Sequence, residues 1–206
     1  QAFVPWFFNC VPNDNQQAAS LFKEIYEIWK FRNIVVVHGS DYDSEKSLVS
    51  FMNSVKMAGK PDPLQFNLED YVQKSGILAD KICESEAGCI VLFCQPSASI
   101  EFIRQIRQKK MNTRFFGSLM LLNENELSAQ ELQELDHLLY IPSGEWPVSA
   151  NITFREEFQK AYKNLPGMVA SYAFDGMSVL IEAMKSAGGN NREKIQKSLK
   201  NIRYNG

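Results

Sequence analysis

The chain has 206 residues, of which 45% are hydrophobic and 22% charged, close to the average for soluble globular proteins. Its 22 basic and 24 acidic residues give a net charge of −2, which argues against a dedicated nucleic-acid surface. No stretch approaches the ~20 apolar residues that a membrane-spanning helix needs, and a targeting segment ahead of Gln1 would not be visible.

The first third of the chain alternates helical and strand patterns. Beyond Asn13, a favourable capping residue, apolar side chains recur at helical spacing as far as Trp29. Residues 33–38 form an apolar, β-branched run, which is typical of a strand buried on both faces of a parallel sheet. Residues 48–55 carry the next helical stripe, and 64–66 predict a short strand.

The same alternation continues to the end of the chain. Strands are predicted at 89–93, 114–117 and 137–141, and helices at 71–83, 100–107, from Ser128, 151–164, 168–187 and 191–202. Ser128 and Glu131 have the spacing of a capping box, and Gly188 stands where a helix should end. Strands separated by helices of this length predict a three-layer α/β/α sandwich with a mainly parallel, Rossmann-like sheet.

Ligands of such sheets bind beyond the carboxyl ends of the strands. In this chain those positions are 39–42, 94–97 and 117–120, which carry hydroxyls, a carboxylate, a phenol and an amide that can orient a small polar molecule. The alternative left open is that these residues only form turns and helix caps.

The sequence offers little for catalysis, metal binding or a cofactor. It lacks the phosphate loop, the dinucleotide-binding turn and the nucleophile elbow, and His38 at the end of a strand is interpreted as structural. The four cysteines form no C-x-x-C pair, so we expect no metal site, and Cys89 and Cys94 flank an apolar run as buried small residues. Whether two of the four cysteines form a disulfide cannot be read from their spacing. We expect no enzymatic activity and no cofactor.

Several segments together resemble the Leu/Ile/Val-binding-protein-like group of type I periplasmic binding proteins, the substrate-binding proteins of branched-chain amino-acid ABC transporters. The similar segments are the aromatic-rich opening with Pro12 and Asp14, the strand followed by Asp41-Tyr42-Asp43, the helix after Pro96, and the helical segment Tyr172-Ala173-Phe174-Asp175-Gly176. Their order and spacing hold over nearly the whole chain.

The resemblance implies a fragment that covers mainly the second lobe, with residues 1–166 in that lobe and 167–206 in a helical return into the first. It implies ligand contacts at seven residues: Ser40, Asp41, Tyr42, Gln95, Pro96, Ser118 and Leu119. Two departures from the family pattern are Asp43, where glycine is frequent, and Ser118-Leu119-Met120, where amino-acid-binding members often have an acid. The missing acid counts against a standard α-amino acid as the ligand.

The implied function is extracytoplasmic binding of a small polar, amino-acid-like molecule by lobe closure, for an ABC transporter or a sensor. The implied partners are that small molecule and an ABC permease, with no nucleic acid and no membrane-spanning segment. The implied location is periplasmic or extracytoplasmic, and lipid anchoring of the full-length protein is left open. Two alternatives remain: an interaction or regulatory module that keeps the fold, and a Rossmann-like enzyme.

Overall fold

The computed structural model describes residues 6–71, 75–122, 126–136, 138–142, 152–163 and 166–203. Its internal contacts divide the chain into two units. The larger is Pro12–Glu145, and the smaller combines Gln1–Val11 with Trp146–Gly206.

The larger unit is built on one five-stranded sheet in which every neighbouring pair is parallel. Its strand order is β2-β1-β3-β4-β5. The strands are β1 (Ile34–His38), β2 (Leu64–Asn67), β3 (Cys89–Phe93), β4 (Arg114–Gly117) and β5 (Leu139–Tyr140). With helices flanking the sheet, this arrangement confirms the predicted α/β fold class.

The helices of this unit follow the predicted apolar stripes. They are α1 (Asp14–Phe22), α2 (Tyr42–Met57), α3 (Ser75–Glu84), α4 (Pro96–Gln108) and α5 (Ala129–Asp136). Asn13 and Gln16 form a capping box at the start of α1, and Ser128 and Glu131 exchange the corresponding bonds at α5. A π-helical stretch, Lys23–Ile28, extends α1, and 3-10 helices follow β2 (Leu68–Tyr71) and β4 (Leu119–Leu122).

Both faces of the central strands are buried. On one face, α1 and α2 supply Leu21, Phe51 and Val55 to a cluster that includes Phe93, and the Phe51 and Phe93 ring centroids lie 5.8 Å apart. The intervening strand residues point to the opposite face, and these are fully buried as well. This is why the strands are continuous apolar runs rather than alternating patterns.

The smaller unit is helical where it is described. Its helices are α6 (Ile152–Tyr162), α7 (Met168–Ala187) and α8 (Arg192–Leu199). The rings of Phe154 and Phe174 stack at 4.2 Å, and Gly188 ends α7 with a φ of 71°, as a left-handed cap requires. Met177 and Ile181 of α7 are exposed apolar side chains on the same side of the helix, four residues apart.

Some predicted boundaries lie outside the described residues. These are His137 at the start of the last strand, and Asn151 and Asn164 at the ends of one predicted helix.

Candidate functional site

The carboxyl ends of β1 and β3 lie side by side, because His38 is in register with Phe93. The chain order reverses there, since β2 lies on one side of β1 and β3 on the other. Crevices that hold ligands in open α/β sheets form at this kind of switch point. The loop after β1 is held to β3 by the Gly39 main-chain N–H, which donates to Phe93 O at 2.9 Å.

Asp41 stands in the loop after β1. It is the N-cap of α2, where its Oδ1 accepts from Ser44 N at 3.1 Å and its Oδ2 from Ser44 Oγ at 2.6 Å. Burial raises the pKa of Asp41, but the hydrogen bonds from Ser44 and the effect of the Gln95 side chain outweigh burial and hold the pKa below its ordinary value. The carboxylate of Asp41 is therefore ionised at neutral pH and is held by Ser44 at the start of α2.

Gln95 and Pro96 begin α4 beside this carboxylate. Gln95 is the N-cap residue, yet its side chain makes no capping bond to its own helix, and Pro96 occupies the first turn and is buried. Of the residues predicted after β3, Gln95 therefore offers the polar group, and Pro96 fixes the direction in which α4 leaves the sheet.

Ser40 is held by two residues from the end of β2. Its main-chain N–H donates to Glu69 Oε1 at 3.0 Å, and its Oγ accepts from Asn67 Nδ2 at 2.8 Å. Glu69 N in turn donates to Asn67 Oδ1 at 3.0 Å. The sequence analysis did not single out Asn67 or Glu69, although both lie within three residues of the predicted strand at 64–66.

Tyr42 is an exposed aromatic residue among the predicted contact residues. Its side chain is 71% exposed at the first position of α2, and Lys46 Nζ lies 5.2 Å from the ring centroid. A large aromatic side chain in this position is free to cover a ligand bound at the strand ends.

Ser118 and Leu119 are placed differently from the other predicted residues. Both are buried, with exposed fractions of 2% and 3%, and Leu119 begins the 3-10 helix after β4. Gln17 of α1 accepts a hydrogen bond from Leu119 N at 2.8 Å and donates another to Pro12 O at 3.1 Å. The structure brings Asp41 and Gln95 together, and it puts the side chains of Ser118 and Leu119 in the interior.

The neighbouring thiols and histidine carry no sign of reactivity. Cys94 is buried, burial raises its pKa to about 12, and its Sγ donates to Val37 O at 3.4 Å. His38 Nδ1 lies 2.9 Å from Gly39 O, as expected for a structural histidine. All four cysteines are free thiols.

Two features are absent from the part of the chain that the structure describes. Within those ranges, no three His, Cys, Asp or Glu side chains are grouped so that they could hold a metal ion. No described helix combines the length and the apolar character needed to cross a membrane.

Comparisons with known proteins agree with this architecture. A family profile described as "Periplasmic binding protein" matches residues 2–206. None of the curated proteins matches the chain.

Three solved structures with the same fold illustrate its relatives. An ABC transporter substrate-binding protein from Sphaerobacter thermophilus has a TM-score of 0.69 and 22% identity, over 99% of this chain and 57% of its own. A leucine-binding protein from Thermotoga maritima has a TM-score of 0.58 and 20% identity, and the match covers 92% of this chain and 55% of that protein. An ABC transporter solute-binding protein from R. palustris, in complex with benzoate, has a TM-score of 0.63 and 17% identity, over 95% and 55%. The chain thus spans a little over half the length of these structures.

Proposed function

The chain belongs to the periplasmic binding protein family, and from that premise we propose that it binds a small polar, amino-acid-like molecule at the carboxyl ends of β1 and β3. The observation that carries this proposal is the joined pair of strand ends at the switch point, where the Gly39 main-chain N–H donates to Phe93 O at 2.9 Å and His38 is in register with Phe93. Polar groups fixed at such a point orient a small ligand, and no chemical step is needed. The chain is therefore proposed not to be an enzyme.

The proposed mechanism is closure of two lobes over the ligand. The chain would supply mainly the second lobe, with 1–166 in that lobe and 167–206 returning to the first. Exposed apolar side chains on α7, among them Met177 and Ile181, support a further covering element for this helix. Closure shifts an open–closed equilibrium, which an ABC permease or a sensor then reads.

The proposed location follows from this role. A solute-binding protein of an ABC transporter works in the periplasm or another extracytoplasmic compartment, and lipid anchoring of the full-length protein belongs to the same proposal. Two of the structures with the same fold, a leucine-binding protein and a solute-binding protein in complex with benzoate, support solutes of that size.

The experiment is a melting-temperature and calorimetric screen with L-leucine, benzoate and related solutes, followed by Tyr42→Ala and Gln95→Ala. We expect each substitution to weaken binding by about tenfold, the effect of losing ~1.4 kcal/mol of contact. Tyr162 is a matched control, since it is 67% exposed compared with 71% for Tyr42, and Tyr162→Ala should leave binding unchanged. Equal affinities of wild type and both site variants would remove the site assignment.

A second candidate is a module that keeps the fold and binds another macromolecule instead of a solute. The observation that favours it is the burial of Leu119 in a 3-10 helix, Leu119–Leu122, which carries no acid to pair with an ammonium group. This candidate predicts no melting shift with any solute of the panel.

A further inference from the structure

We infer that the ligand presents an uncharged oxygen acceptor, a carbonyl or hydroxyl oxygen, to the hydroxyl group of Ser40, and that Asn67 is the positioning residue that sets this polarity. The inference rests on the proposed function, because it assigns the chemistry of one contact in that same site. The relevant atoms form a short network at the ends of β1 and β2.

The orientation of the Asn67 amide follows from its partners. A main-chain N–H can only donate, so the Asn67 atom that lies 3.0 Å from Glu69 N must be the acceptor Oδ1. The amide nitrogen Nδ2 is then the atom that faces Ser40 Oγ at 2.8 Å. Asn67 therefore donates to Ser40.

The direction of the Ser40 hydroxyl proton follows in turn. A hydroxyl group has one proton, and an oxygen that accepts from Asn67 directs its own O–H elsewhere. Ser40 is exposed, and its hydroxyl donates to no other group in the described part of the chain. Its main-chain N–H is already used by Glu69. What Ser40 offers to a ligand is consequently its O–H donor, beside one remaining lone pair that can still accept.

The charges around Ser40 select the kind of acceptor. Glu69 Oε1 lies 3.0 Å from Ser40 N, and the ionised Asp41 follows Ser40 directly in the chain. A ligand carboxylate placed on the Ser40 hydroxyl would be repelled by both groups, whereas an uncharged carbonyl or hydroxyl oxygen would not.

The test is a titration of the ¹⁵N-labelled chain with L-lactamide and L-lactate, which have nearly the same shape and differ in charge. We expect L-lactamide to shift the Ser40 amide signal and to bind about tenfold more tightly than L-lactate. In N67D, the introduced carboxylate accepts the Ser40 O–H, so the affinity for L-lactamide should fall by about tenfold. Because L-lactamide is uncharged, this loss reports hydrogen-bond polarity rather than added charge.

N33D is the matched control. It adds the same carboxylate at an exposed position before β1, at the other end of that strand from Ser40, so the affinity for L-lactamide should stay within about twofold. E69Q tests the charge, because its glutamine oxygen can still accept from Ser40 N while one of the repelling charges is gone, so L-lactate should bind E69Q more tightly than wild type. The melting temperatures of all three variants show whether the fold itself has changed.

The other outcomes separate this inference from the proposed function. Tighter binding of L-lactate than of L-lactamide by wild type, or unchanged L-lactamide binding by N67D, overturns the inference. If another solute of the screening panel binds while neither lactate compound perturbs Ser40, the inference fails and the proposed function stands. If no solute binds at all, both are overturned.

Discussion

Replacing Asp41 with alanine should destabilise the larger unit by more than the loss of an ordinary helix cap. The N-cap bond to Ser44 N contributes about 1 kcal/mol. The same substitution deprives the Ser44 hydroxyl, which is fully buried, of its acceptor, and an unsatisfied buried hydroxyl costs about 1–3 kcal/mol. The free energy of unfolding should therefore fall by about 2–4 kcal/mol.

Asn13→Ala in the same unit gives the comparison. Asn13 is an exposed N-cap whose side chain accepts from Gln16 N at 3.0 Å, with no buried group depending on it. Its loss should cost about 1 kcal/mol. Urea unfolding followed by circular dichroism measures both variants at pH 7. If Asp41→Ala costs no more than Asn13→Ala, the reasoning about the buried hydroxyl is wrong.

The contribution of Asp41 to the free energy of unfolding should depend on pH in one direction. The pKa of Asp41 is lowered in the folded state, so its charge stabilises the fold above the ordinary carboxyl pKa of about 3.9. This contribution is lost as the pH falls through the lower folded-state pKa. The difference in stability between wild type and Asp41→Asn should be constant from about pH 5 to 8 and should shrink below about pH 4. A difference that grows on acidification would contradict the assignment.

Three further predictions concern packing, thiol exposure and a main-chain hydrogen bond. In Gly117→Ala the added methyl would overlap the Leu121 side chain, so urea unfolding should show a loss of about 1–3 kcal/mol. Iodoacetamide at pH 8 should modify the exposed Cys10 and leave Cys94, whose pKa burial raises to about 12, unmodified until the protein unfolds; peptide mass spectrometry distinguishes the two. Gln17→Ala removes the acceptor of Leu119 N, at the start of the 3-10 helix after β4. The free energy of unfolding should fall by about 1–3 kcal/mol, measured as a lower urea midpoint at an unchanged m-value.

Most of the fold could be predicted from the sequence because its signals are local. The apolar, β-branched run at 33–38 is typical of a strand buried on both faces, and the observed strand is Ile34–His38. Helix α7 was predicted with its observed ends, Met168 and Ala187. The π-helical stretch at Lys23–Ile28 was not predicted, since a wider turn changes hydrogen bonding without interrupting the apolar stripe. The apolar pattern of residues 14–28 therefore does not distinguish an α-helix from a π-helix.

The site could be predicted only in part. Being next to the end of a strand was enough to single out Asp41 and Gln95. That their loops lie side by side depends on the order of β1 and β3 in the sheet, which cannot be read from the sequence. Asn67 and Glu69 were missed because β2 is a short edge strand with polar residues, so its end carries a weak signal. The burial of Leu119 depends on the 3-10 helix that follows β4. That helix has only four residues, too few for a hydrophobic periodicity in the sequence to predict it.

The order of the strands also bears on synthesis of the chain. β1 pairs with β2 on one side and with β3 on the other, and β3 ends only at Phe93. A nascent chain that has released β1 and β2 from the ribosome still exposes one whole edge of an apolar strand, which is a template for pairing with other chains. That edge of β1 is covered only when β3 emerges, and β3 in turn exposes its other edge until β4, which ends at Gly117, has followed.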